Sequence, residues 1–469
     1  MAALLLVPGC KTKPTTRGSA GGSGSGSTIV SASGRGTASV ATQRALPELR
    51  LDRLAGEVMA RGINVLAAKL YRDRAGRHPD ENLLLSPLGE AVLLALLDLG
   101  PHTALTRTTR MALDLRRGQG QVVLGALLAR LTGGDRRGRR SAHSHGSLSV
   151  HTALWLTARK RLRAGFAREA QHFYRAEVHH DLPVKEDAAR ARVSAWLSRL
   201  SQKRLTKTQA KGSKQATQML LASLVDLEAS WPLAPTRSEG QFVLGSGKRA
   251  RVPMLTRRCD GALHTARYDG LDVISLPYAR VGSARLALEL LLLLPDAKAG
   301  EKPAKTLERL RRRVDALALR RWGALVRSRT IEKKRLAKKP RRVDARLGRL
   351  LRRIATVGRA RPLCVDVTWP RFALASALPR VLATRNGSVL GAALLANTQL
   401  GTRAPSATQQ QALDQRATAS ARAPASAAQR GGVDVDVLAI RVDRPFIFVV
   451  RERQSGLIVM IGHVVDPRR

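Results

Sequence analysis

The chain has 469 residues, of which 44% are hydrophobic and only 3% aromatic. It is long enough for one large domain or two to three ordinary ones, with a core built mainly from Leu, Val and Ala. The net charge of +47 admits two explanations: a polyanionic partner such as nucleic acid or heparin, or the Arg- and Ala-rich usage of a GC-rich genome. Because the basic residues are spread along the whole chain, both explanations stay open.

Cysteine spacing and apolar runs exclude several classes of protein. Three cysteines, Cys10, Cys259 and Cys364, give no disulfide framework, and their spacing fits no zinc pattern. One internal bridge, Cys259–Cys364, is conceivable, but we do not expect it. No apolar run is long enough to cross a bilayer, and neither a nucleotide loop nor a Ser-His-Asp set is present. We therefore expect no cofactor, no membrane span and no conventional enzyme.

The first 48 residues are predicted to be disordered. Residues 1–10 are apolar but short, without a basic n-region or a clear cleavage site, and are compatible with a degraded signal peptide. Residues 11–46 are rich in Gly, Ser, Thr and Ala, a composition that cannot bury enough apolar surface to fold. The ordered domain is predicted to span residues 49–469.

The first half of the ordered domain is mainly helical by its apolar periodicity. Ser86-Pro87 predicts a helix start, with Ser86 as the N-cap and Pro87 in the first turn. The three histidines His143, His145 and His151 have no acidic or thiol partner at ligand spacing, so they predict a polar loop and not a metal site. Helices are predicted over residues 49–73, 91–99, 122–131, 166–174 and 188–200, and strands over residues 81–87 and 149–156.

The second half alternates apolar strands with one long basic segment. Residues 304–353 are predicted to be helical, with a break near Lys339-Pro340. Strands are predicted over residues 219–227, 241–244, 262–268, 271–278, 287–294, 364–373 and 389–400. Residues 401–432 are predicted to form a long exposed loop. Early helices and late strands indicate a single α+β domain.

The last thirty residues carry the most informative pattern. Two apolar runs, residues 446–450 and 457–461, are joined by Gln454-Ser455-Gly456, which predicts a buried hairpin. The order of residue types in residues 440–450, IRVDRPFIFVV, resembles the C-terminal signature of the serpins. Further strings resemble that family in the same order along the chain: Ser86-Pro87, Val193-Ser194-Ala195-Trp196, Trp231, Val252-Pro253-Met254 and Leu276-Pro277-Tyr278-Ala279.

The resemblance implies a serpin fold: three β-sheets, eight to nine helices and an exposed reactive-centre loop. Ser86, Pro87 and Trp231 would then be structural residues of the shutter and breach of the main sheet. Three positions depart from the family pattern, since Gly89, Ser223 and Ala396 stand where the family has Ser, Asn and His. These departures predict a shutter with fewer hydrogen bonds.

The loop that follows Leu400 differs from the loops of inhibitory serpins. Those proteins insert the loop as a new central strand, so its first part needs small uncharged residues. Here it contains Arg403, Pro405 and Asp414; the proline would delete a ladder hydrogen bond, and the charges would be costly to bury. We therefore expect a non-inhibitory serpin. The alternative is a serine protease inhibitor cleaved after an arginine such as Arg416 or Arg422.

The terminal strings most resemble the collagen-binding chaperone serpins of the endoplasmic reticulum. The resemblance implies that Asp443 pairs with an Arg of a collagen triple helix, that Ala439 and Arg441 occupy the positions of neighbouring contact residues, and that Arg237 is a further contact. Arg441 stands where that branch has an aromatic residue. The function implied is a monomeric procollagen chaperone, and heparin-like polyanion binding is a third possibility.

The expected location is the endoplasmic reticulum lumen or the exterior. It follows from the same resemblance, because the chain shows neither a clear signal peptide nor a C-terminal retrieval tetrapeptide. The sequon at Asn386 is compatible with glycosylation in that pathway.

Overall fold

A computed structural model describes most of the chain from residue 46 onward. The described residues are 46–99, 113, 119–133, 146–158, 162, 165–183, 185–205, 219–232, 234–259, 263–281, 286–297, 300–328, 341–354, 363–381, 387–397 and 433–468. Those from Leu46 onward belong to one compact unit. The predicted loop 401–432 and almost all of the predicted disordered segment 1–48 lie outside the described residues.

Eight helices are described, and most match the apolar periodicity of the sequence. They are α1 (Arg53–Arg77), α2 (Pro87–Asp98), α3 (Gln119–Leu131), α4 (Phe166–Tyr174), α5 (Glu186–Leu200), α6 (Pro303–Arg312), α7 (Ala316–Ser328) and α8 (Ala345–Ile354). The helix start predicted at Ser86-Pro87 is confirmed, because Ser86 Oγ accepts from Gly89 N at 3.2 Å. None of the described helices is long and apolar enough to span a membrane.

Sixteen described strands form three sheets. They are β1 (Leu83–Leu85), β2 (Gly146–Leu156), β3 (Glu177–His179), β4 (Met219–Ala229), β5 (Thr236–Val243), β6 (Arg249–Arg257), β7 (His264–Tyr268), β8 (Leu271–Pro277), β9 (Leu288–Pro295), β10 (Arg341–Val343), β11 (Leu363–Pro370), β12 (Phe372–Val381), β13 (Gly387–Asn397), β14 (Val433–Arg441), β15 (Phe446–Glu452) and β16 (Ile458–Val464). Sheet 1 has the order β1-β16-β15-β9-β8-β7, sheet 2 the order β10-β14-β11-β6-β5, and sheet 3 the order β12-β13-β4-β2-β3. The predicted α+β fold with three sheets is confirmed.

The predicted terminal hairpin is the centre of sheet 1. Strands β15 and β16 pair antiparallel from Phe446↔Val464 to Arg451↔Ile458, and every residue of both strands is buried. The hairpin is flanked by β1 and β9, which explains why its strands are continuous apolar runs and not alternating ones.

Two predicted elements are wrong in their extent. The basic segment 304–353 is not one helix with a break, since the described part contains α6, α7, the short strand β10 and α8. The predicted strand 364–373 divides into β11 of sheet 2 and β12 of sheet 3 at Arg371, whose N–H donates to Pro253 O at 2.8 Å. In the second case the apolar pattern runs across a junction that only sheet pairing defines.

The prediction that Cys259 and Cys364 are not bonded is also wrong. The two form a disulfide, with their Cα atoms 4.5 Å apart and a sequence separation of 105. Strands β6 and β11 are antiparallel neighbours, and Cys259 N donates to Val365 O at 3.1 Å just beyond the ladder. The pairing of these strands therefore brings the sulfurs together, which cysteine spacing alone cannot show.

Candidate ligand-binding face of sheet 2

Three of the predicted contact residues share one face of β14 and the turn after it. Ala439 and Arg441 are exposed and Asp443 is partly exposed, whereas the residues that precede each of them, Leu438, Ile440 and Val442, are 2%, 5% and 0% exposed. Because side chains alternate along an extended strand, residues 439, 441 and 443 point to the same side. The structure thus brings these three residues together.

The backbone on both sides of Asp443 is fixed. Its carbonyl accepts from Val243 N of β5 at 2.7 Å, and Val442 N donates to Thr368 O of β11 at 2.8 Å. The carboxylate Oδ1 accepts from Arg444 Nη1 at 3.0 Å, and the Asp443 side chain is 37% exposed. Arg444 is held in turn by Pro295 O at 3.0 Å. Asp443 therefore presents a carboxylate to solvent from a rigid turn.

Arg441 occupies the position where the resemblance implies an aromatic residue. Its guanidinium lies against Gly240 of β5, where an added Cβ would come within 2.5 Å of Arg441 Nη2. A side chain at position 240 would therefore displace this guanidinium and press on Met254 of β6. Within the described part of the chain, the ion pair of Asp443 is with Arg444 and not with Arg441.

Arg237 is exposed but is not brought close to Asp443. It lies near the start of β5, whereas Asp443 contacts Val243 at the end of that strand. Six residues of strand correspond to roughly 20 Å. Only a ligand that spans about 20 Å could therefore contact both Arg237 and Asp443.

Sequence reasoning missed two polar residues on this sheet, Arg341 and Asp366. Arg341 of β10 forms an ion pair with Asp366 of β11 at 2.7 Å, and Asp366 is the register partner of Ala439 on β14. The two side chains meet across β14, which lies between β10 and β11 in sheet 2. The sequence holds no local signal for it, because the two residues are 25 positions apart.

Helix α8 covers the neighbouring part of the same sheet. A small apolar cluster, which we call the α8 cluster, joins this helix to sheet 2 beside the disulfide. Its buried members are Cys259, Leu351, Cys364, Val435 and Val437, with Leu347 and Val343 packed against them. Helix α8 therefore covers the first part of β14, and Ala439 and Arg441, nearer the end of the strand, stay exposed.

The predicted shutter residue Ser86 is the N-cap of α2 and faces β16. Ser86 Oγ donates to Val459 O at 3.0 Å, which joins α2 to β16. Gly89 packs so closely on β4 that an added Cβ would lie 3.1 Å from Ser223 Oγ and from Val225 Cγ2. The Ser223 hydroxyl is buried and has no hydrogen-bond partner among the described residues. Ser223, one of the three positions that depart from the family pattern, thus makes no side-chain hydrogen bond within the described part of the chain.

Trp231 stands in a buried aromatic cluster just after β4. Its ring stacks on Tyr278 with centroids 4.5 Å apart and meets Trp369 edge-on at 5.6 Å. The guanidinium of Arg257 lies over the same ring at 6.0 Å, and burial lowers the pKa of Arg257 to about 10. The cluster joins the end of β4 to sheets 1 and 2.

Several predicted residues lie outside the described part of the chain. These are the candidate scissile residues Arg416 and Arg422, the sequon residue Asn386, and His143 and His145. Of the three clustered histidines only His151 is described, half-buried within β2 and not in a loop, and burial lowers its pKa.

A second feature, away from sheet 2, is a cavity of about 650 Å³ between α1 and α7, above sheet 1. Its walls include the apolar side chains of Leu291, Leu293 and Trp322. Val65 and Leu317, two of the exposed large apolar residues, lie at the same cavity, 38% and 64% exposed. Its cationic lining residues are Arg53, Arg61, Arg320 and Arg451.

Comparison with known proteins identifies the family. The family described as serpin (serine protease inhibitor) matches residues 61–347. Serpin-Z1C of Triticum aestivum is 24% identical over 403 residues, covering 82% of this chain and 90% of the wheat protein. The solved structure of Arabidopsis AtSerpin1 in its native stressed conformation has a TM-score of 0.61 at 17% identity, covering 90% of this chain and 100% of that one. Human thyroxine-binding globulin complexed with thyroxine has a TM-score of 0.60 at 16% identity, covering 88% and 99%. The chain belongs to the serpin family.

Proposed function

We propose that this chain is a non-inhibitory serpin that binds a collagen-like triple helix and acts as a procollagen chaperone. One observation carries the proposal. The exposed side of β14 ends in a carboxylate, Asp443, whose backbone is fixed by β5 and β11 and whose side chain is 37% exposed. A rigid, partly exposed carboxylate is suited to an arginine on the surface of a rod-shaped ligand.

The existing ion pair of Asp443 does not block such a contact. Within the described residues, Arg444 donates to Oδ1 only, so Oδ2 can accept from a guanidinium of the ligand. Arg441, which carries the same charge as that guanidinium, lies against Gly240 of β5. The elongated shape of a triple helix also suits a surface on which Arg237 and Asp443 are roughly 20 Å apart.

The proposal that the protein is non-inhibitory rests on the residues of the loop, because every loop insertion has to open the central ladder of sheet 3. Sheet 3 pairs β13 directly with β4 in parallel over ten residue pairs, from Gly387↔Met219 to Ala396↔Glu228. An inserted loop would have to separate this ladder and then replace its hydrogen bonds. Arg403 and Pro405 at the start of the loop are poorly suited to doing so.

The test is a pull-down on immobilised triple-helical peptides that contain arginine, at neutral and acidic pH. We expect the wild-type protein to bind, and Asp443→Asn to weaken binding at least about tenfold, because a charge-assisted hydrogen bond contributes roughly 1.5–3 kcal/mol. Asp434→Asn is the matched control. It makes the same change at an exposed position of the same strand, but on the other face. No binding by the wild-type protein, or equal affinity of the wild-type protein and Asp443→Asn, would contradict the proposal.

Two further arms of the experiment separate the alternatives. Incubation with trypsin-like proteases would yield an SDS-stable covalent band if the protein were an inhibitor cleaved after an arginine such as Arg416 or Arg422, and we expect no such band. Binding that is equally strong on peptides without arginine, and that heparin and salt abolish, would instead indicate a polyanion-binding serpin.

The cavity between α1 and α7 favours a second candidate function, the binding of a small amphipathic anion. Its apolar wall would cover the body of such a ligand, and Arg61 or Arg320 at the rim would pair with its acidic group. Thyroxine-binding globulin, one of the similar structures, is complexed with thyroxine. Titration with a fluorescent aromatic sulfonate tests this function. Leu317→Glu should abolish the signal, and a signal that is unchanged in this variant would exclude the cavity.

A further inference from the structure

Three potential metal ligands surround a single guanidinium nitrogen on sheet 2. Cys259 Sγ, Cys364 Sγ and a carboxylate oxygen of Asp366 all lie within 4.8 Å of one another. Arg341 Nη1 lies 3.6 Å from Cys259 Sγ, 3.7 Å from Cys364 Sγ and 3.1 Å from Asp366 Oδ1. The three atoms therefore already face one common point, and a cation occupies it.

This group of atoms is buried. Cys364 is 0% exposed, Cys259 8% and Asp366 9%, and the apolar side chains of the α8 cluster pack around the two cysteines. The backbone also holds the carboxylate in place, since Cys259 N donates to Asp366 Oδ1 at 3.2 Å. Electrostatic interactions are strong in such surroundings, so the charges at this point have to balance closely.

The balance of charge changes with the redox state of the cysteines. In the disulfide form, Asp366 and Arg341 carry one negative and one positive charge, which cancel. When the disulfide is reduced, the two sulfurs can become thiolates and add two negative charges. A divalent cation would neutralise the two thiolate charges without protonating the sulfurs.

We propose that the reduced pair Cys259 and Cys364, together with Asp366, forms a site for a thiophilic divalent cation such as Zn²⁺. Two thiolates and one carboxylate are a ligand set that zinc accepts, and a water molecule would complete a tetrahedron. The disulfide form cannot bind the metal in this way, because its sulfurs are bonded to each other. The site is therefore gated by redox state.

The chemistry needs a reductant, and a dithiol supplies it. The dithiol transfers two electrons and two protons to the Cys259–Cys364 bond, which opens to two thiols, and the dithiol becomes a disulfide. Zn²⁺ then displaces the two thiol protons to the solvent as it binds both sulfurs. Asp366 moves from Arg341 to the metal, and Arg341, whose side chain is 38% exposed, turns to solvent.

The site lies next to the candidate ligand face but is independent of it. Asp366 is the register partner of Ala439, and Cys364 is the register partner of Val437. Metal binding would therefore act on the strand that carries Arg441 and ends just before Asp443. The metal site does not depend on whether that face binds a triple helix, and the two proposals can fail separately.

The experiment uses the full-length chain with Cys10→Ser, so that Cys259 and Cys364 are its only thiols. The protein is reduced with a phosphine, which is then removed, and it is titrated with Co²⁺ and afterwards with Zn²⁺. We expect one Co²⁺ per chain, with a thiolate-to-cobalt charge-transfer band, tetrahedral ligand-field bands and full displacement by Zn²⁺. The unreduced protein should show none of these bands.

Two variants test the geometry. Asp366→Asn should weaken Zn²⁺ binding at least about tenfold, since even residues that only support metal ligands contribute that much. Asp226→Asn is the matched control, because Asp226 is another carboxylate with a side chain 14% exposed, against 12% for Asp366, that pairs with an arginine, Arg204. Arg341→Gln should strengthen Zn²⁺ binding, because it removes the competing cation.

Three results would overturn the proposal. One is a reduced protein with two titratable thiols that binds no Co²⁺. Another is equal affinity in the wild-type protein and in Asp366→Asn, which would show that the two cysteines bind metal without the folded site. A third is no gain of affinity in Arg341→Gln. Circular dichroism shows whether the reduced chain stays folded. If it unfolds, the two free thiols would bind metal equally well in the wild-type protein and in Asp366→Asn, and the proposal would be overturned.

Discussion

Arg451 of β15 donates from Nε to Oε1 of Glu289 on β9 at 2.6 Å, and their side chains are only 6% and 2% exposed. Arg451 also donates to Gly323 O of α7 at 2.7 Å, and Ser275 Oγ of β8 donates to Glu289 Oε2 at 2.5 Å. One buried ion pair thus joins the C-terminal hairpin to two other strands of sheet 1 and to the helix above them.

The first prediction follows from that ion pair. Arg451→Met should lower the free energy of unfolding by about 3 kcal/mol, the lower end of the range for a broken buried pair, because Arg453 remains 3.5 Å from Glu289. The double variant Arg451→Met/Glu289→Met should recover most of this loss, since no buried charge is left. Urea unfolding followed by circular dichroism measures both. A single variant as stable as the wild type would contradict the prediction.

The second prediction compares two helical glycines. A Cβ at Gly323 of α7 would overlap the guanidinium of Arg451, whereas a Cβ at Gly76 of α1 would meet nothing within 4 Å. Gly323→Ala should therefore destabilise the protein, while Gly76→Ala should stabilise it by about 0.5–1 kcal/mol through its higher helix propensity. Thermal melting of the two variants checks the opposite signs, and melting temperatures that shift in the same direction would count against this packing.

The third prediction compares two serines that are both 0% exposed. The hydroxyl of Ser223 has no partner among the described residues, so Ser223→Ala removes an unsatisfied group and should raise the free energy of unfolding by about 1 kcal/mol. Ser275→Ala breaks the hydrogen bond to Glu289 and should lower it by about 1.5–3 kcal/mol. Both can be measured by urea unfolding, and equal effects of the two substitutions would refute the assignment.

The fourth prediction concerns pH and the buried His463 of β16. Burial, and then the charge of Arg311, hold the pKa of His463 well below its ordinary value. Arg311 Nη2 lies 2.8 Å from His463 Nε2, and Tyr71 Oη lies 3.1 Å from Nδ1. Among the described residues, Glu81 O is a further polar contact, at 2.9 Å from Nε2. Protonation of His463 in the folded state would place two cations in contact.

The sign follows from linkage. Below about pH 6.5 the unfolded chain binds a proton at this histidine and the folded protein does not. Stability should therefore fall by about 1.4 kcal/mol per pH unit as the pH drops from about 6.5 towards the folded-state pKa. His463→Gln should reduce this slope in urea unfolding measured between pH 7.5 and 5.5, leaving the part due to His151, whose pKa burial also lowers. The control His172→Gln, at a partly exposed histidine that contacts Pro47 O, should keep the full slope, and an undiminished slope in His463→Gln would disprove the assignment.

Local sequence patterns predicted the helices and strands that a few consecutive residues define. Ser86-Pro87 predicted the start of α2, and the two apolar runs joined by Gln454-Ser455-Gly456 predicted the hairpin of β15 and β16. The alternation that exposes Ala439, Arg441 and Asp443 is also local, since it depends only on β14 being extended. The resemblance to serpins rests on the order of such segments, and the comparisons confirm that family.

What the sequence by itself determined was therefore the apolar period, the caps, the terminal hairpin and the family. The tertiary structure alone decided the Cys259–Cys364 bond, the Arg341–Asp366 pair and the placement of Asp443 at the end of β5 opposite to Arg237. The physical reason is that each of these depends on which strands become neighbours. Strand pairing is set by the packing of the whole domain, and residues that share no local pattern become partners only when their strands are joined.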